Sequence, residues 1–157
     1  GLGDVLAISC GIGLVVRTRP GPPGTGFVDC AYMPRSVSLL SVEVGGMSTD
    51  QLLSETSERF YAESRALVSK IADSMSIDSF LYDIRSLNDR LGLPDALLGS
   101  AAEAVRRTPG LISYYVKKRM LIVAVDSDLA QDAVGHLNRL GYPLRRLTPS
   151  ETPPYVR

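Results

Sequence analysis

The last third of the chain alternates strand-like and helix-like patterns, and this alternation limits the fold more than any other feature. Two apolar runs, Leu111 to Val116 and Met120 to Val125, are separated only by a short basic segment. Each has the length and composition of a β-strand. The second run is nearly uninterrupted, which is typical of a strand in the middle of a sheet. The pattern predicts two strands, the second of them central.

A helix and a further strand are predicted after these two. Asp126 or Ser127 can cap the helix, and Gly141 followed by Pro143 ends it. The apolar residues between these ends recur at helical spacing: Leu129, Ala133, Val134, Leu137 and Leu140. Leu144 to Leu147 then predicts one more strand.

The middle of the chain is predicted to be helical. Ser48 or Thr49 can cap a first segment, whose apolar residues Leu53, Phe60, Leu67 and Ile71 share one face, and this segment is one long helix or two. Ile77 to Leu91 has the cleanest amphipathic pattern of the chain and is ended by Gly92. A further helix begins at Pro94 and stops at Pro109-Gly110.

The first third is predicted to contain a short helix and several strands. Asp4 to Ser9 suits a short apolar helix closed by a glycine. Leu14 to Arg19 is rich in β-branched residues, and the Gly/Pro-rich turn Pro20 to Gly26 follows it. Phe27 to Met33 and Val37 to Val44 predict two more strands, paired as a hairpin or lying as neighbours.

These elements together predict the α+β class. The order of strands, helices, two strands, helix and strand fits a ferredoxin-like two-layer domain, in which helices cover one face of a mixed or antiparallel sheet. A chain of 157 residues with 45% hydrophobic residues is long enough for one core and too short for two full domains. We therefore expect a single domain over residues 1–157.

Charge and cysteine content exclude several classes of protein. The 17 basic and 17 acidic side chains balance, so the sequence predicts no nucleic-acid partner. No apolar run reaches the roughly 20 residues that cross a bilayer, so no membrane association is predicted. Cys10 and Cys30 lack the spacing of a zinc site or a disulfide framework. The expectation is a soluble cytoplasmic protein with free thiols and no bound metal.

The first five residues, Gly-Leu-Gly-Asp-Val, place a carboxylate where a glycine turn enters a helix. Gly1 and Gly3 would let the backbone approach a phosphate, because glycine has no Cβ and the N–H groups of a helix start point outward. Asp4 is also a favourable helix cap and dipole partner. From spacing alone the cap is the commoner explanation.

The surrounding residues resemble archaeal pantoate kinases of the GHMP kinase superfamily. The GLGDV segment is followed by Gly11 and Gly13, a strand with Arg17, a GPPG turn and Asp29, in the order and spacing of that family. The Leu-Gly-Tyr-Pro segment at 140–143 and the Thr-Pro-Pro segment at 152–154 are also similar to it. The match is specific at residues 1–29 and architectural through the central helices.

The resemblance implies ATP-dependent phosphorylation of the terminal hydroxyl of pantoate, giving 4-phosphopantoate for coenzyme A synthesis. Asp4 matches the aspartate that orients or deprotonates the acceptor hydroxyl, and Gly1 and Gly3 match its glycine turn. The family's phosphate loop lies upstream and is absent here, so the resemblance implies a C-terminal half that meets ATP and Mg²⁺ through a missing N-terminal half. We expect the isolated fragment to be inactive.

Two basic features have competing interpretations. Arg17 matches a family arginine and could bind the pantoate carboxylate as a bidentate pair. Solvation on an edge strand is the commoner explanation for both Arg17 and Arg19, and only Arg17 matches the family arginine. Lys117-Lys118-Arg119 stands where GHMP kinases often carry a glycine-rich motif, and a solvated turn explains it better than a phosphate contact. His136, the single histidine, is predicted to lie at the margin of its helix's buried stripe.

Two other functions stay open on the sequence. One is a GHMP kinase with a different acceptor, such as mevalonate, homoserine or a sugar. The other is a ferredoxin-like module that binds a small molecule without chemistry, in which Asp4 is only a helix cap. A homodimer also stays open.

Overall fold

The computed structural model describes residues 13–17, 27–32, 34–45, 62–63, 66–67, 77–117 and 120–147. The predicted helix from Asp4 to Ser9 lies outside these residues. Of the first central helical segment, the described residues 62–63 and 66–67 are helical.

Among the described residues, six strands form two antiparallel sheets. β1 (Gly13–Arg17) pairs with β2 (Phe27–Tyr32) in a two-stranded sheet. The larger sheet contains β3 (Val37–Glu43), β4 (Leu111–Lys117), β5 (Met120–Asp126) and β6 (Leu144–Leu147), in the order β4-β5-β3-β6. Every neighbouring pair in it is antiparallel.

The helices are α1 (Ile77–Arg90), α2 (Leu93–Leu98), α3 (Ala101–Arg106) and α4 (Ala130–Asn138), the last preceded by a 3₁₀ turn at Ser127–Leu129. Helices therefore connect β3 to β4 and β5 to β6, while β4 and β5 form a hairpin. This βαββαβ order with β5 between β3 and β4 is the split βαβ arrangement of ferredoxin-like folds. The predicted α+β, ferredoxin-like class is confirmed.

The two central strands are buried along nearly their whole length. Residues 38–42 of β3 and 121–125 of β5 are all buried, and Leu40 lies opposite Val123 in the register. Successive side chains of a strand point to opposite faces, so a strand buried at every position must be covered on both sides. The prediction that Met120 to Val125 forms a central strand is confirmed.

Each face of the larger sheet has its own apolar cluster. On one face, Leu40, Val42 and the odd-numbered residues of β5 pack against α3 and α4; the helix side chains are Ala102, Val105, Ala130, Ala133 and Leu137. On the other face, Leu39, Tyr115 and Ile122 pack against Leu67 and α1; the α1 side chains are Phe80, Leu81, Ile84 and Leu87. The expectation placed helices on one face only. The structure adds α1 on the opposite face, because β3 and β5 are apolar on both faces.

The helix predicted from Pro94 onward is divided in two. Gly99 has a φ of 56° and a ψ of −129°, a positive-φ conformation that glycine adopts without steric cost and that ends α2. Ser100 then precedes α3. The apolar periodicity continues across this break, and so the sequence pattern alone indicated one helix.

The strands β2 and β3 do not pair with each other, although a hairpin was one prediction for them. β2 pairs with β1, whereas β3 lies between β5 and β6. The burial of residues 38–42 of β3 on both faces suits a central strand, which needs two sheet partners.

Candidate functional site

The described residues include only part of the site predicted from the sequence. Gly1, Gly3 and Asp4 lie outside them. Arg17 is the last residue of β1, opposite Phe27, after a register irregularity at Val16. Asp29 lies opposite Val16. The backbone thus brings Arg17 and Asp29 to the same end of the β1–β2 pair.

The basic segment Lys117-Lys118-Arg119 lies at the hairpin between β4 and β5. Lys117 is the last residue of β4 and pairs with Met120, the first residue of β5. Residues 118–119 lie outside the described part of the chain.

The largest polar group among the described residues surrounds Arg106, and we call Arg106, Asp89, Asp95 and Tyr114 the Arg106 cluster. The Arg106 guanidinium donates two hydrogen bonds to the Asp95 carboxylate, Nη1 to Oδ1 at 3.1 Å and Nη2 to Oδ2 at 2.6 Å. Its Nε donates to the Tyr114 hydroxyl at 3.3 Å. The cluster therefore joins α1, α2, α3 and β4 at one point.

Tyr114 is the buried member of the Arg106 cluster. Its ring is fully buried, and its hydroxyl donates to Asp89 Oδ1 at 2.5 Å. The Arg85 guanidinium carbon lies 5.1 Å from the centre of the ring, within the range of a cation–π contact. Burial, followed by the hydrogen bond to Asp89, raises the pKa of Tyr114. The phenol therefore stays neutral and acts as a hydrogen-bond donor.

The charged members of the cluster hold one another ionised. The hydrogen bond from Arg106 lowers the pKa of Asp95, and the hydrogen bond to Asp95 raises the pKa of Arg106. An aspartate with a lowered pKa is a poor proton acceptor, and an arginine cannot act as a general acid near neutral pH. The arrangement is suited to fixing α1, α2 and α3 against β4, and it offers no acid–base chemistry.

A second polar group, the serine relay, consists of Arg146, Ser38, Ser127 and the carbonyl of Arg35. Ser127 Oγ donates to Arg35 O at 2.7 Å, which uses its only proton. Ser38 Oγ, 2.8 Å away, must therefore donate to Ser127 Oγ. Arg146 Nη2 in turn donates to Ser38 Oγ at 3.0 Å. The relay links β6, β3 and the 3₁₀ turn, and each hydroxyl proton has one acceptor.

His136 lies at the margin of the buried stripe of α4, as predicted. It is half-buried, and its Nε2 lies 2.6 Å from the carbonyl oxygen of Ala104. Since a carbonyl can only accept, Nε2 carries the proton. The histidine ties α4 to α3 and does not face a carboxylate partner in any hydrogen bond of the described residues.

The contact between Asp89 and Tyr114 was not predicted from the sequence. Asp89 is a charged residue within the amphipathic segment that forms α1, and it is exposed. A buried tyrosine that needs a partner for its hydroxyl is the only sequence signal that could have pointed to this contact. The partner itself depends on how α1 packs along β4.

The described part of the chain contains no group of three or more His, Cys, Asp or Glu side chains placed to hold a metal ion. No described helix is long and apolar enough to span a bilayer.

Comparisons with solved structures give a match to a longer protein. No family model and no curated protein matches the sequence. A solved structure described as a phosphotransferase related to the CoA biosynthesis pathway matches with a TM-score of 0.62 and 19% sequence identity. The match covers 85% of this chain and 44% of that one. The two proteins share a fold, and this chain spans less than half the length of its neighbour.

Proposed function

We propose that this chain is the acceptor-side half of a GHMP-type kinase that transfers phosphate from ATP to pantoate in cytoplasmic coenzyme A biosynthesis. The observation that carries the proposal is the fold shared with a CoA-pathway phosphotransferase over 85% of the chain. The resemblance of residues 1–29 to pantoate kinases supports the same function and the same substrate. Neither observation would be sufficient alone, because one fold serves many functions.

In this proposal Asp4 is the catalytic carboxylate. Phosphoryl transfer depends mainly on positioning and on charge stabilisation, and a carboxylate beside the attacking oxygen can orient the hydroxyl and accept its proton. Gly1 and Gly3 leave room for the acceptor and the phosphate to approach the backbone. Arg17 would bind the pantoate carboxylate through two parallel N–H···O bonds.

The nucleotide belongs to the other half of the enzyme. In the kinase family that residues 1–29 resemble, the phosphate loop lies in the other half, so Mg²⁺ and ATP would be held there. Bound Mg²⁺-ATP supplies the phosphoryl group, and the residues of this chain position the acceptor. The fragment alone is expected to have no kinase activity.

The decisive experiment replaces Asp4 with Asn in the complete protein and measures ATP-dependent phosphorylation of pantoate. Asn caps a helix about as well as Asp, so the unfolding transition should not move. Loss of a positioned proton acceptor typically lowers turnover by about 10²–10⁴-fold. Unchanged turnover in the folded variant would show that Asp4 is only a cap.

The acceptor is tested with the unmodified complete protein and a panel of pantoate, mevalonate, homoserine and galactose. Phosphorylation of pantoate in preference to the others is the expected result. Turnover of mevalonate without turnover of pantoate would assign a different GHMP activity. Absence of turnover with every acceptor, together with saturable binding of one of them, would favour the non-catalytic module.

Arg17 is tested by Arg17→Lys, which keeps the charge and removes the bidentate geometry. Charge-assisted hydrogen bonds are worth about 1.5–3 kcal/mol, so the KM for pantoate should rise roughly ten- to a hundredfold with a smaller change in kcat. Arg19→Lys is the matched control. Equal effects of the two substitutions would support the solvated interpretation of both arginines.

A further inference from the structure

The outer strand β4 has a sequence suited to pairing with another chain. It lies at one end of the larger sheet. Residues Leu111 to Val116 are rich in β-branched and aromatic side chains and contain no charge, proline or glycine. Six-residue segments with these properties form self-complementary β-structure when their edge is open. Ile112 is one of the few large apolar side chains exposed in the described part of the chain.

Helix α1 lies along β4, and three hydrogen bonds join the two elements. The Ser113 hydroxyl donates to the carbonyl of Leu81. The backbone N–H of Val116 donates to Asn88 Oδ1 at 2.8 Å. The Tyr114 hydroxyl donates to Asp89. An outer strand normally leaves alternate N–H groups unpaired, and here a side chain of α1 occupies one of them.

Asn88 is an unusual residue for its position. It is 3% exposed, and asparagine is a poor helix former in a helix interior. Its two polar atoms are both used, since Nδ2 donates to the carbonyl of Ile84 at 2.8 Å while Oδ1 accepts from Val116. A leucine here would suit the helix and the core better but would leave the Val116 amide without an acceptor.

The opposite edge of the sheet is protected in a different way. β6 has only four residues, and its two middle residues, Arg145 and Arg146, are exposed. Shortness and charge both discourage pairing at an edge, and two copies of β6 would place like charges next to each other. β4 has neither protection in its own sequence up to Val116, and among the described residues α1 provides an acceptor at this edge.

We propose that the β4 edge is a latent self-association surface for the β4 strand of a second copy of the chain, and that Asn88 of α1 blocks it. The Asn88 carboxamide opposes this association because its Oδ1 accepts the hydrogen bond of the Val116 N–H, which an incoming strand would need. When Asn88 is lost, α1 keeps its apolar contacts with the sheet, but the Val116 amide loses its acceptor and becomes available to the strand of the second copy.

The test compares Asn88→Ala with Leu137→Ala in the whole chain. Leu137 is fully buried beneath the opposite face of the sheet, so its truncation destabilises the fold without touching the β4 edge. In Asn88→Ala the Val116 amide should exchange its hydrogen roughly ten- to a hundredfold faster, the equivalent of one lost buried hydrogen bond. Sedimentation velocity over a range of concentrations should show that Asn88→Ala associates, and this association should be accompanied by thioflavin T fluorescence. Leu137→Ala should associate no more than the parent chain does.

A second substitution identifies the surface that associates. Ile112→Lys places a charge at an exposed position of β4. Combined with Asn88→Ala, it should suppress the association. Equal association of Asn88→Ala and Leu137→Ala would overturn the proposal, because general destabilisation would then explain both. Failure of Ile112→Lys to suppress association would overturn it as well. If Asn88→Ala does not fold, Asn88→Ser, which is too short to reach Val116, serves in the same comparison.

Discussion

The ion pair between Asp95 and Arg106 is predicted to stabilise the fold by a small amount that disappears in acid. The pair has bidentate geometry, which is the most favourable for a guanidinium and a carboxylate. Its side chains are 58% and 27% exposed, so solvent screens it substantially. Exposed pairs contribute about 0.2–1 kcal/mol. Because this one is bidentate and joins α2 to α3, we expect a coupling energy of about 1 kcal/mol at neutral pH.

The measurement is a double-mutant cycle by urea unfolding, with Asp95→Asn, Arg106→Gln and the double variant. Arg106→Gln alone should cost more than Asp95→Asn alone, because Arg106 also donates to Tyr114. Glu103 and Arg107, an exposed pair one turn apart on the same surface, provide the control cycle, with an expected coupling of about 0.3–0.5 kcal/mol.

The pH dependence gives the sign of the effect. The pKa of Asp95 in the folded chain lies below its ordinary value of 3.8, chiefly because of the hydrogen bond from Arg106. The stabilisation is therefore complete above the unfolded pKa and is lost as the pH falls through the folded pKa. A coupling energy near zero at neutral pH, or one that is unchanged in acid, would refute this account of the pair.

Four further substitutions test the packing. Gly110→Ala should destabilise the chain more than Gly141→Ala. Both glycines have positive φ, but of the two only Gly110 has an atom close to the position of an added Cβ, Leu129 Cβ at 2.9 Å. Urea unfolding of the two variants measures the difference in stability. His136→Phe keeps the packing but loses the hydrogen bond to Ala104, with an expected cost of about 0.5–1.5 kcal/mol in the same assay. Leu137→Ala should cost about 2–5 kcal/mol because it leaves a cavity among fully buried side chains, and a cost below 1 kcal/mol would mean that the site collapses.

Local patterns predicted the larger sheet and its helices well. Leu144 to Leu147 was predicted with the bounds of β6, and Ile77 to Leu91 differs from α1 by one residue. The apolar residues of Ile77 to Leu91 recur at helical spacing up to Gly92, whereas Leu144 to Leu147 is a short segment between Pro143 and Pro149. The prediction of one helix after Pro94 differed because the φ of Gly99 interrupts the backbone while the apolar spacing continues.

Contacts between elements were not predictable in the same way. The sequence does not say that Asp89 meets Tyr114, because the two residues are 25 positions apart and come together only when α1 lies along β4. The same holds for Asn88 and Val116. Asn88 was visible as a polar residue within an amphipathic helix, but its backbone partner depends on which strand forms the sheet edge. Of the predicted site, the described residues include only the backbone of Arg17.

The two observations behind the kinase proposal compensate for each other's weakness. A glycine turn with an aspartate is commonly just a helix start, and a ferredoxin-like fold accommodates many functions. A helix cap at Asp4 does not require the glycines, the arginine, the GPPG turn and Asp29 that follow it in the chain. The fold match at 19% identity is a separate observation, because it does not depend on these residues. The Asp4→Asn variant separates them. If turnover survives, the shared fold remains and the catalytic carboxylate must be sought elsewhere in the complete enzyme; if turnover falls while stability holds, both observations describe the same site.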